Sequence, residues 1–224
     1  MGVVFSGIAD EDEENDDWAD PDFKPPSFYN RIEGPQFTAL DFNKQYIIRH
    51  YGPTLWASTV VRDCDSITEA WRTARGRLRT YFREGNQKQY RLPRTCPILC
   101  RPATVEGNNK EFTFTFSQYI PRKYAKDPPA PKDNTVFLQE EWPRLYYILQ
   151  RKFPIDDWKE LKLELQQALC DKQEEFNEDL WNVVFYEAPG MFFSGTKLRE
   201  IWFAGKVVKE KFTTVKSDSI PEDD

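Results

Sequence analysis

The sequence predicts an α+β fold, a curved antiparallel sheet with two flanking helices, built from two pseudosymmetric halves. Three observations predict it. β-rich runs alternate with two segments of helical period, turn signals punctuate the runs, and the order strand, helix, strand, strand occurs twice within 224 residues. Neither half can bury both faces of its own strands, so the halves are expected to share one sheet.

In the first half, "QYIIRHYG" (45–52) and "TLWASTVV" (54–61) are β-rich runs split by Gly52-Pro53. Ser66-Ile67-Thr68-Glu69 is a capping-box signature, in which Ser and Glu satisfy each other's orphan amides, and it opens a helix expected to reach Glu84. Trp71, Ala74, Leu78, Tyr81 and Phe82 form its apolar stripe. Two strands are expected next, "YRLPRTCPILCRPATV" (90–105) and "KEFTFTFSQYI" (110–120), joined by a Gly-Asn-Asn turn. Phe112, Phe114 and Phe116 alternate onto one face of the second.

The Pro-rich "PRKYAKDPPAPKDN" (121–134) reads as an extended surface connection between the halves. Beyond it, "TVFLQEEWPRLYYILQRKF" (135–153) is extended, and Asp157 with Glu160 caps a helix expected over 157–175. That helix carries Trp158, Leu161, Leu165 and Leu169, and "WNVVFYEA" (181–188) and "REIWFAGK" (199–206) close the half.

Composition bounds the function. Aromatics make up 15% of the chain and charged residues 30%, a soluble globular balance, and no run approaches the roughly 18 apolar residues of a membrane span. The start "MGVVFSGIADEDEENDD" lacks a basic, long-apolar export signal, so a cytoplasmic location with reduced cysteines is expected. "MGVVFS" also fits the permissive N-myristoylation pattern, although the acids behind it would be repelled by anionic lipid. Nine of the 37 acids lie in residues 10–22, leaving 28 against 31 bases in the remainder. The expected organisation is an acidic, largely disordered leader over 1–30, one domain over 31–208 and a polar acidic tail over 209–224. A domain charge near +3 gives a weak phosphate field, which argues against nucleic acid.

There is no phosphate-binding glycine motif and no nucleophile elbow, so neither a nucleotide enzyme nor a hydrolase is indicated. His50 is the sole histidine, which rules out an ordinary Cys/His zinc set. It reads either as a ligand near a strand end or as a half-buried strand residue satisfied by the backbone. The first helix carries a second stripe, Arg72, Arg75, Arg79 and Arg83, within an arc of about 80° that flanks the apolar face. Guanidinium groups beside an aromatic face suit an amphiphilic anion, with carboxylates on the forks; the competing reading is a solvated flank. Cys96-Pro97 is a dipeptide that can present a thiolate to haem iron, but two residues are a weak signal, and a small buried thiol at a strand bulge or edge is the prevailing reading.

"YIIRHYGPTLWAST", "FTFTFSQYIPRKYAKDPPAP", "TVFLQEEW", "VVFYEAPG" and "REIWFAGK" together resemble the SOUL haem-binding protein family, in order from Gln45 to Lys206. The resemblance implies a distorted antiparallel β-barrel with two helices, no enzymatic activity, no stable membrane insertion, and binding of haem or free porphyrin as carrier, buffer or sensor. It implies that the histidine of R-H-Y-G-P is a proposed iron ligand in some members, whereas others hold the porphyrin without it, through an apolar groove at the first helix and basic residues near the propionates; His50 and Arg72 occupy the matching positions. The candidate cofactor-binding set is thus His50, Arg72, Arg75, Leu78, Arg79 and, in the loop before the last strand, Lys197, with His50 as the metal ligand. Where the family usually has K-M-T-A-P-V, this chain has "PRTCPI", with Arg94 in place of Met. That departure favours the alternative, a protein-interaction module that kept the fold without haem and contacts its partner through the acidic leader.

Overall fold

The computed structural model describes residues 20–105, 108–186 and 195–206. The acylation pattern, most of the acidic leader and the acidic tail lie outside the described residues. Among the described residues nine strands form one sheet: β1 (Phe37–Phe42), β2 (Ile47–Tyr51), β3 (Thr54–Cys64), β4 (Ile98–Val105), β5 (Asn108–Tyr119), β6 (Val136–Glu141), β7 (Arg144–Phe153), β8 (Phe176–Phe185) and β9 (Lys197–Gly205). Helix α1 (Ile67–Arg83) connects β3 to β4, and α2 (Trp158–Asp171) lies between β7 and β8.

The strand order is β1-β2-β7-β9-β8-β4-β5-β3-β6, antiparallel at every pair. If β2, β3, α1, β4 and β5 are matched with β6, β7, α2, β8 and β9, the order from β2 to β6 reads the same from either end. The two halves are therefore related by a pseudo-twofold at the β4–β8 pair. Each lends a strand to the other, since β2 pairs with β7 and β6 with β3. The sheet stays open, with β1 and β6 as its edges, where the resemblance implied a barrel.

One face of the sheet carries the main core. Phe114 and Phe116 of β5, Ala57 and Val61 of β3, and Ile201 and Phe203 of β9 meet the apolar sides of α1 and α2. The Trp71 and Phe116 rings lie 5.3 Å apart. The opposite face holds a second cluster that includes Tyr51, Trp56, Leu99, Tyr146, Tyr186, Trp202 and Tyr29, the Tyr29 ring lying 5.8 Å from that of Tyr186. Tyr29 is fully buried, so packing begins before the boundary expected at residue 31.

Local geometry adjusts several expectations. Ser66 Oγ accepts from the Glu69 amide at 3.2 Å, but the Glu69 carboxylate accepts from the Asp65 amide, one residue before the cap. Asp157 makes no side-chain cap; a 3-10 turn over Ile155–Asp157 feeds α2 instead. That helix ends at Asp171 because Gln173 takes a left-handed φ of 58°. Residues 91–97, expected as strand, are irregular apart from a bridge at Thr95. Pro93 and Pro97 offer no ladder amides there.

Cys64, Cys96 and Cys100 are buried and Cys170 is exposed. Burial pushes the Cys64 and Cys100 thiols up, and that of Cys96 to about 12. A thiol reagent is therefore expected to modify one cysteine of the native protein quickly and the rest only as the fold opens. Two or more fast-reacting thiols would contradict this packing. No helix among the described residues is long and apolar enough to cross a membrane.

Candidate functional site

Residues three and four apart share a helix face, so Trp71, Arg75, Leu78, Arg79, Phe82 and Arg83 form one wall of α1. This wall borders a cavity of about 660 Å³, completed by Arg91, Leu92, Pro93, Arg94 and Gln118. Its volume falls in the roughly 300–1,000 Å³ range of sites for drug-sized ligands. Trp71, Leu78, Phe82 and Leu92 are buried and supply the apolar floor. Arg75 is half-buried, and Arg79, Arg83, Arg91 and Arg94 reach into solvent at the rim.

The second wall is fixed by a few polar contacts. Asn86, fully buried, donates to the Tyr81 and Tyr90 carbonyls at 2.9 and 2.8 Å and accepts from the Tyr90 amide at 3.0 Å. This reverses the chain after α1. The Leu92 amide then donates to Phe82 O at 2.8 Å, tying the returning segment to the helix end. Further on, Thr95 Oγ1 donates to Tyr119 O at 2.5 Å and accepts from Gln118 Nε2 at 3.4 Å. Arg77, pointing the other way, donates to Val60 O at 2.9 Å and Thr59 Oγ1 at 3.3 Å, clamping α1 onto β3.

Five arginines line the cavity and no carboxylate does. Arginine stays protonated at any physiological pH, so the cleft is a cationic rim over an aromatic floor. That arrangement binds amphiphilic anions. The lining holds no histidine, cysteine or methionine, and no group of three or more His, Cys, Asp or Glu among the described residues is disposed to hold a metal ion.

Of the sequence-predicted residues, Arg75, Leu78 and Arg79 come together in this cavity. Arg72 is exposed on α1 and is not among the lining residues. His50 is half-buried in β2, in register with Thr38 of β1 and Leu145 of β7, and also lies outside the lining. Lys197 is the first residue of β9, opposite Phe153 of β7, and not a loop residue; it too is outside the lining. Cys96 sits on the opposite face, its Sγ 3.8 Å from the Tyr29 and Ile32 carbonyls. Arg91, Leu92, Pro93 and Gln118 lie outside the candidate set; Pro93 and Pro97, which break the expected strand, are the sequence signal for the first three, and Gln118 in β5 has no such signal.

Comparison with known proteins gives a consistent result. A family model described as SOUL heme-binding protein matches residues 32–204. Heme-binding protein 2 of Homo sapiens is 28% identical over 165 residues, covering 72% of this chain and 78% of that protein. Heme-binding protein 2 of Mus musculus is 29% identical over 167 residues with the same coverage, 72% and 78%. The crystal structure of the EcmrR C-terminal domain aligns with a TM-score of 0.53 at 12% identity, over 73% of this chain and 98% of that one. That likeness is one of fold.

Proposed function

The chain belongs to the SOUL heme-binding protein family, and from that premise we propose that it binds haem or a metal-free porphyrin without catalysing a reaction, as a carrier, buffer or sensor in the cytoplasm. The observation that carries this reading is the α1 cavity, with an apolar floor for a flat macrocycle and arginines at the rim for its propionates. Trp71, Leu78, Phe82 and Leu92 would exclude water from the ring, and Arg75, Arg79 and Arg83 would hold carboxylates. Haem, when bound, supplies the iron. The cavity supplies no side chain to ligate it, so retention rests on the ring and the carboxylates.

A hemin titration followed by absorbance tests the reading. A saturable, one-to-one change supports it, and only non-saturable, weak changes would refute it. His50→Ala is expected to leave the Soret band and the hemin affinity within about twofold of the parent, since sites without shared partners act independently. A shifted Soret band with weakened binding would return His50 to the role of iron ligand.

A further inference from the structure

The arginines of the cavity come from two separate elements. Arg75, Arg79 and Arg83 follow α1 over about 12 Å, while Arg91 and Arg94 flank Leu92-Pro93 on the returning segment. The floor residues Leu78, Phe82 and Leu92 belong to both elements, so a flat ligand resting on them meets cations from each. Haem carries its two propionates on adjacent pyrrole rings, along one edge. It can occupy the forks of one element, and the guanidinium groups of the other would then face an apolar rim. Covering a cation without a partner costs more than leaving it in water.

We propose that this cavity prefers tetrapyrroles with a carboxylate on each of the four pyrrole rings to those, such as haem, with carboxylates on two. The inference rests on the tetrapyrrole reading above and adds the ligand class. Five guanidinium groups and no lining carboxylate leave a surplus of three positive charges over a dicarboxylate ligand. Carboxylates around the whole rim reach both arginine groups, reduce that surplus to one and add charge-assisted hydrogen bonds. Arg94 stands in the segment where this chain departs from the motif of the family it resembles, so the preference is a property of this chain's own residues.

The test is a fluorescence titration at fixed ionic strength with two metal-free probes, protoporphyrin with two carboxylates and coproporphyrin with four. Coproporphyrin is expected to bind at least about tenfold tighter to the parent protein, a ratio that narrows as salt rises. Arg91→Gln combined with Arg94→Met is expected to weaken coproporphyrin by at least about tenfold and protoporphyrin by less, so that the ratio falls toward one. Both positions are exposed, and unchanged far-ultraviolet circular dichroism checks that the fold is retained. Equal affinities in the parent, or equal weakening of both probes in the variant, would overturn the preference alone. Failure of both probes to bind would overturn the tetrapyrrole reading with it.

Discussion

Hemin is expected to bind at least about tenfold more weakly when Arg75, Arg79 and Arg83 are all replaced by glutamine. Charge-assisted hydrogen bonds contribute roughly 1.5–3 kcal/mol each when desolvated and far less when wet. Arg75 is half-buried and the other two are exposed, so most of the loss is expected from Arg75. A total of about 1.4 kcal/mol suffices for tenfold. The salt dependence of binding should flatten as well, because the screened charges are gone. Glutamine is nearly as good a helix former as arginine, so the circular dichroism should not change. Arg72→Gln, one turn away and outside the lining, is the control and should bind as the parent does. Unchanged affinity in the triple variant would return the row to a solvated flank.

Replacing Glu200 by alanine is expected to produce the largest loss of stability in the molecule. The Arg49–Glu200 pair is 3.0 Å apart, with side chains 4% and 0% exposed. The Glu200 carboxylate also accepts from Tyr186 OH and Trp202 Nε1, both at 2.6 Å, and from Gln150 Nε2. The Arg49 guanidinium lies over the Phe37 and Phe28 rings, 4.7 and 5.2 Å from their centroids. Burial works against its charge, but the Glu200 carboxylate more than offsets this and holds its pKa above the ordinary arginine range. Removing the carboxylate leaves a buried cation and three donors, from Tyr186, Trp202 and Gln150, without their acceptor, a cost of about 3–5 kcal/mol. For a domain of this size that lowers Tm by roughly 10 °C. A variant that melts within a degree or two of the parent would show that the cluster contributes little. Glu200 lies outside the cavity lining, so below its own melting temperature the variant should keep the parent's hemin affinity.

The repeated element order was legible because hydrophobic period is a local property: Phe112, Phe114 and Phe116 announce their strand without reference to anything distant. That the halves share a sheet was legible too, but which strands pair across them was not. That β2 lies beside β7, and that Arg49 meets Glu200 across 151 positions of sequence, depends on contacts no local pattern encodes. The same division runs through the site. Arg75 and Arg79 could be placed because a helix projects side chains at a fixed angle. Arg91 and Arg94 could not, since their position is set by the Asn86 reversal and the Leu92–Phe82 hydrogen bond. His50 drew attention by being the sole histidine, but alternation along β2 gives only the face it occupies and says nothing of its distance from α1.

Ring binding in the α1 cavity is read directly by a map of backbone amide shifts in the nuclear magnetic resonance spectrum during titration with metal-free protoporphyrin. A metal-free ring removes any contribution from iron ligation, so only contact with the cavity is read. The largest changes are expected on residues 71–83, on Arg91, Leu92 and Arg94 and on Gln118, with the strand around His50 little affected. Changes centred on His50 and its neighbours in β1 and β7, with α1 unperturbed, would contradict binding in the cavity.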